Sequence, residues 1–260
     1  MGVIVKGRVS INYFSPLNIS GLQLWLDASD STTLFQDSAA TTPALADGDP
    51  IGCWKDKSGN NYHATQTDGT FKPLRKNAIQ NAKNIIRFDG TNDRLVCGNV
   101  MNMGANSLAA FIACKITSSV AQIIGKSRAN YQEGRWTIYR SSGSIYLLVT
   151  TEIFPYEYFI GTTDSSTAFR VLGAIYRRNG NSVLRINKTE YGSTYTPSST
   201  TLNTTNIAEI GAYQTDSGNE GGTSPMAGDI GEILVYQAAS ISDADRDSIE
   251  SYLMAKWGVY

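Results

Sequence analysis

The chain has 260 residues, with 22 Lys and Arg against 23 Asp and Glu, and a formal net charge of -1. That length suits one large all-β domain or two small ones, and the balanced charge leaves no basic excess for gripping a nucleic-acid backbone. Charged residues make up 17%, and Ser, Thr, Asn and Gly take their place, which favours strands and turns over helices.

Residues 3–13 alternate. Val3, Val5, Val9, Ile11 and Tyr13 share one parity, and Lys6, Arg8, Ser10 and Asn12 share the other. This is a half-buried strand, ended by Pro16. Residues 1–18 read as an N-terminal strand or docking arm, and 19–260 as the main domain. The N-terminus lacks the charged start, apolar run and cleavage site of a signal peptide. No apolar run reaches the roughly 18 residues of a membrane span. A protein made in a cytoplasm, with no Sec route of export, is expected.

In "GLQLWLDASD", Leu22, Leu24 and Leu26 point one way and Gln23, Trp25 and Asp27 the other. Residues 28–50 and 66–84 read as loops. Between them "WKDKSGNNYHA" sets Asp56, Ser58 and Asn60 at alternate positions ahead of His63, the one histidine. Alternate oxygens suit calcium, but the glycine and closing Glu of an EF-hand are missing. A strand, a tight turn and a second strand fit equally, with Trp54 as a core anchor and Asp56 bonding nearby backbone.

Short strands follow at 85–88, 94–97, 108–116, 121–125, 135–140, 144–150, 153–160, 169–177, 182–187, 207–213 and 229–236, separated by Gly, Asn and Ser. Asn179-Gly180 signals a hairpin. Residues 193–206 and 214–228 read as long exposed loops. Cys53, Cys97 and Cys114 are odd in number and widely spaced, so they fit buried strand positions better than a disulfide framework or zinc site. A helix closes the chain. Ser242 with Asp245 makes a capping box. Ile249, Tyr252, Leu253 and Trp257 form its apolar stripe, and Gly258 is placed to end it. Many strands and one terminal helix predict a two-sheet sandwich with the helix packed on it.

The order "LWLDASD", "WKDKSGNNYHATQ", "IRFDGTNDRL" and "GDIGEILVYQAASISDADRDSIESYLMAKWG" resembles the laminin-G-like branch of the concanavalin A-like lectin/glucanase superfamily, from about Gly21 to Trp257. "FRVLGAIYRRNGNSVLRINKTEYG" is similar to that family's central hairpin pair, with Asn187-Lys188 where the family often has Asn-Gly. The resemblance implies a jelly-roll β-sandwich of two antiparallel sheets with one C-terminal amphipathic helix. It also implies the roles such domains take in phage structural and bacterial surface proteins, many of them glycan-binding.

A glycosidase needs two carboxylates about 5–9 Å apart. Asp229 and Glu232 lie three apart, which in a regular strand sets them on opposite faces, and Glu152 and Glu157 also differ in parity. The superfamily's Glu-x-Asp-x-x-Glu motif is absent, so no catalytic residues are expected. Sugar recognition uses aromatic faces with polar neighbours. Tyr131, Trp136, Tyr156 and Tyr158 are candidates for it, with Asp216 and Asn219 as polar partners. No metal site is assigned. Calcium stays open at the Asp56 loop and at Asp216, Asn219 and Glu220.

These features lead to an expected non-enzymatic structural, decoration or adhesion protein of a phage particle. Its arm would dock on other virion proteins, its partners would include glycans but neither nucleic acid nor membrane, and it would reside in the virion, with a homo-oligomer left open. Two alternatives stand beside this: a free-standing carbohydrate-binding module of a bacterial surface protein, and a polysaccharide-degrading enzyme.

Overall fold

The computed structural model describes residues 14–126, 135–150, 157–178, 180–192, 204–212, 224–238 and 241–260. In chain order the strands are β1 (Leu22–Asp27), β2 (Leu34–Phe35), β3 (Cys53–Trp54), β4 (Ala64–Thr65), β5 (Leu74–Gln80), β6 (Lys83–Asp89), β7 (Leu95–Gly98), β8 (Ser107–Ile116) and β9 (Ala121–Lys126). They continue as β10 (Trp136–Ser141), β11 (Ser144–Thr150), β12 (Glu157–Thr163), β13 (Arg170–Tyr176), β14 (Val183–Ile186), β15 (Thr189–Gly192), β16 (Ala208–Ile210) and β17 (Ala227–Ala238), followed by helix α1 (Asp243–Trp257). One antiparallel sheet runs β15-β14-β13-β8-β17-β6-β5, with β1 also on β17; the other runs β12-β11-β10-β9-β16-β7-β4-β3-β2. The two face each other as a β-sandwich.

Alternation decides which side chains meet. Leu24, Leu26, Ile86, Phe88, Leu108, Ile112 and Ile233 of the first sheet pack against Ile124, Trp136, Ile138, Ile145, Leu147 and Ile210 of the second. The opposite parity of the first sheet, Trp25, Ile85, Phe111, Val171, Leu234 and Tyr236, packs under Ile249, Leu253 and Trp257 of α1. That sheet is therefore covered on both faces. This explains why β8, "SLAAFIACKI", is one nearly unbroken apolar run. Gly231 sits where Trp257 lands. A Cβ there would lie 2.7 Å from the indole, so the helix end can approach only a bare backbone.

The helix begins as its sequence predicts, with Ser242 Oγ accepting from Asp245 N at 3.0 Å. The reciprocal bond differs from a capping box. The Ser242 hydroxyl donates to Asp245 Oδ2 at 2.7 Å, side chain to side chain, rather than Asp245 accepting from the cap amide. Gly258 closes the helix in the left-handed region at φ 64°. Asn187 and Lys188 turn β14 into β15 with φ 49° and 69°, the two positive values of a type I′ hairpin.

Three expectations change, the first being that 28–50 holds the short strand β2. The stretch 66–84 contains β5 and the start of β6 rather than only loop. β5 is an edge strand, polar and partly exposed, so it lacks the alternation that betrays buried strands. β17 begins at Ala227, inside the expected 214–228 loop. Its pairing with β8 shifts register between Ile230 and Glu232, a bulge that no propensity announces. Of the expected arm, Phe14 packs on Tyr252 with ring centroids 5.4 Å apart, and Tyr236 Oη donates to Pro16 O at 3.1 Å. Residues 1–13, Asn179, and most of the two expected long loops (193–203 and 213–223) lie outside the described residues.

Candidate functional site

The Asp56 loop is a structural clamp. β1 pairs with β17 on one side only, and its other edge would otherwise present bare backbone groups. Asp56 Oδ1 accepts from Trp25 N at 2.9 Å and Ser58 N at 2.8 Å. Its Oδ2 accepts from Ser58 Oγ at 2.7 Å and Tyr62 N at 3.0 Å. Lys57 N donates to Trp25 O at 2.8 Å, and Asn60 Nδ2 to Leu22 O at 3.1 Å and Gln23 O at 3.0 Å. Side chains thus continue the ladder that a further strand would have made, which closes the edge. His63 Nδ1 accepts from Asp56 N at 3.1 Å, so His63 props the loop. Four donors occupy the Asp56 carboxylate, which leaves a cation no free oxygen on it. Among the described residues no three His, Cys, Asp or Glu side chains group to hold a metal. The second calcium candidate, Asp216, Asn219 and Glu220, lies outside them.

The carboxylates also differ from expectation. The β17 bulge flips parity at Gly231, so Ile230 and Ile233 both face the sandwich core while Asp229 and Glu232 share the outer face. They still make no pair. Asp229 is held by Arg87, Nε at 2.7 Å and Nη2 at 3.0 Å. Glu232 instead lies opposite Asp27 in the β1–β17 register, an adjacency of residues 205 positions apart that in-strand motifs could not reveal. Glu232 Oε1 accepts from Trp25 Nε1 and Tyr252 Oη, each at 2.8 Å. Its Oε2 accepts from Trp257 Nε1 at 2.9 Å and faces Lys256 Nζ at 2.7 Å. Asp27 pairs with Lys256 at 2.8 Å and Lys57 at 3.1 Å.

Burial, reinforced by Asp27, pushes the Glu232 carboxyl up. Burial works the same way on Asp27, but Lys256, Ser29 and Lys57 outweigh it and hold Asp27 low. Carboxylates tuned apart are the mark of an acid–base pair. Here, however, Glu232 is fully buried beneath α1, and every lone pair is taken. The cluster fastens the helix to the sheet. Cys97 and Cys114 are likewise inert, their thiols pushed up to about 12 chiefly by burial.

Among the sugar-binding candidates, Tyr131, Tyr156, Asp216 and Asn219 lie outside the described residues, as does the side chain of Tyr158, whose backbone in β12 pairs with Val149 of β11. Trp136 is placed, and it corrects the expectation. Its indole is fully buried between the sheets, because β10 turns that parity inward. The same strand turns Tyr139 outward. Tyr139 pairs directly with Tyr146 of β11, and Tyr146 with Gly161 of β12. The two rings stack with centroids 5.1 Å apart and planes 22° apart. Gly161 is exposed, and a Cβ there would overlap the Tyr146 ring, so the missing side chain lets that ring lean over β12. A half-exposed aromatic pair therefore stands on the outer face of the nine-stranded sheet, bordered by Ser144 and Thr163, themselves a cross-strand pair. Sequence reasoning missed it, although the Ser142-Gly143 turn carries its register.

No family model matches the chain, and no curated protein matches it in sequence. Solved structures do. The botulinum neurotoxin serotype D binding domain aligns with TM-score 0.61 and 11% identity, covering 92% of this chain and 54% of that one. The binding domain of botulinum neurotoxin DC, solved in complex with SialylT, gives 0.53 and 14%, covering 92% and 52%. The binding domain of Paraclostridial Mosquitocidal Protein 1 gives 0.51 and 12%, covering 93% and 53%. The chain spans about half the length of each. At such identities the likeness is one of fold, a β-sandwich.

Proposed function

We propose that this chain is a non-enzymatic, glycan-binding recognition domain that meets sugars on the outer face of its nine-stranded sheet. The observation that carries this reading is the stacked Tyr139–Tyr146 pair leaning over Gly161. The C–H face of a pyranose packs against an aromatic face, and neighbouring hydroxyls take its polar edge. Ser144 and Thr163 supply such hydroxyls. Two observations support it further. The carboxylates that the fold brings together, Asp27, Asp229 and Glu232, are spent on ion pairs and hydrogen bonds that hold the sandwich. Similar folds serve as binding domains of neurotoxins, one of them solved in complex with SialylT. A glycan array with the wild-type chain and Tyr146→Ala tests the reading. Retention of saccharides by the first and their loss by the second is the expected result, and an empty array refutes it.

The finer reading is that the domain belongs to a phage particle, made in the host cytoplasm and docked on other virion proteins through the alternating segment 3–13. That segment runs into Phe14, which packs on α1. Mass spectrometry of purified virions tests it, and absence of the chain would end it. Release of reducing sugar from host polysaccharide would instead favour the hydrolase alternative.

A further inference from the structure

Lys126 closes β9 and is fully buried. Its Nζ donates to Asn99 Oδ1 at 2.6 Å and Asn102 Oδ1 at 2.9 Å. No Asp or Glu among the described residues pairs with it. A buried ammonium ordinarily needs a counter-charge, and two amide oxygens carry none. Burial accordingly pushes the amine down to about 8.

Its neighbours are unsatisfied in the same sense. Lys126 pairs across the sheet with Trp136 on one side and Ala208 on the other, and directly opposed residues share a face. Trp136 Nε1 is buried without a hydrogen-bond partner, and so is Asn206 Nδ2, two residues before Ala208. The 204–206 stretch is tied to this rim, since Thr204 N donates to Asn102 Oδ1 at 3.4 Å and Asn206 N to Thr204 Oγ1 at 3.2 Å. One ammonium and two neutral N–H donors, all buried, thus lie on neighbouring strands, Lys126 on β9, Trp136 on β10 and Asn206 just before β16. Buried donors are normally paired, so orphans that cluster point to a missing acceptor.

We propose that the Lys126–Trp136–Asn206 rim binds the carboxylate of an acidic sugar, a hexuronic or sialic acid. The proposal rests on the glycan-binding reading and adds a ligand class and a second subsite to it. A carboxylate brings one negative charge to match the single cation and acceptor oxygens for the two N–H groups. Water would satisfy the donors but leave the charge. A phosphate dianion would exceed the one cation available. Entry is short, because Asn99 and Asn102 are themselves exposed.

The test titrates D-glucuronate, N-acetylneuraminate and neutral methyl α-D-glucopyranoside into the full chain by calorimetry, and follows the Lys126 ε-methylene by NMR. The two acids should bind, and the Lys126 titration midpoint should climb from about 8 as the anion stabilises the ammonium. Lys126→Met should weaken binding roughly ten-fold or more. Asn206→Ala, which keeps the charge and serves if the first variant folds poorly, should weaken it less. The proposal is overturned if the midpoint stays fixed at saturating acid, if Lys126→Met binds as the wild type does, or if a crystal grown in glucuronate shows only water at the three donors. Acidic glycans that bind no better than neutral ones, and equally to wild type and Lys126→Met, would remove this site while leaving the tyrosine platform intact.

Discussion

Replacing Asp56 with Ala deletes the acceptor for three backbone amides and one hydroxyl. The consequences differ by burial. Trp25 is 9% exposed, so its amide loses its partner where water cannot replace it, at about 1–3 kcal/mol. Ser58 and Tyr62 are half-exposed, and water takes over part of their bonds, leaving about 1 kcal/mol each. The sum is about 3–5 kcal/mol, which for a chain of this size lowers Tm by about 6–10 °C. Asp56→Asn keeps one acceptor oxygen but turns an amide group toward two donors, and should fall roughly midway. Urea denaturation gives the stability, and hydrogen exchange reads the Trp25 amide directly. Opening the β1 edge should also promote self-association, visible by light scattering. An Asp56→Ala variant within about 0.5 kcal/mol of wild type, with the Trp25 amide still protected, would refute the clamp.

Glu232→Ala strips the shared acceptor from Trp25, Tyr252 and Trp257 and leaves Lys256 short of one carboxylate. It should cost about 3–5 kcal/mol, with Trp257 fluorescence shifting red as α1 loosens. Asp27 is held below its usual range of 3.8. Its stabilisation is therefore complete above that pH and is lost as pH falls through the lower folded value. Asp27→Asn should remove that acid limb from a stability profile. Lys126 is shifted the other way, from 10.5 down to about 8, so between those values the unfolded chain holds more protons and stability rises with pH. Lys126→Met should abolish that rise and be more stable than wild type at pH 7 by about 1–2 kcal/mol, read by denaturant titration at each pH.

The sandwich was legible because burial on a strand writes itself as alternation. β8, β9, β10, β11, β13 and β17 lie within a few residues of their expected spans, and α1 announces itself by Ser242, its acidic first turn and Gly258. The Asp56 loop was legible as a turn because only local bonding was needed to read it. β5 was not, since an exposed edge strand has no buried parity to display. The Asp27–Glu232 adjacency was not either, because it depends on which strands pair and on a bulge at Gly231. Trp136 and Tyr139 carry the general lesson. Aromatic content marked β10 as interesting, but one position of parity separates a ring in the core from a ring at the surface. The Ser142-Gly143 turn fixes that parity, with φ 49° and 77°, and sets Tyr139 across from Tyr146.

The most direct test of the tyrosine platform is a binding titration of the strongest array saccharide against wild type, Tyr139→Ala and Tyr146→Ala, with thermal unfolding recorded for each. Loss of one stacking face should weaken binding roughly ten-fold in either variant while the fold persists. Undiminished binding by both variants would contradict the assignment of that face to sugar recognition.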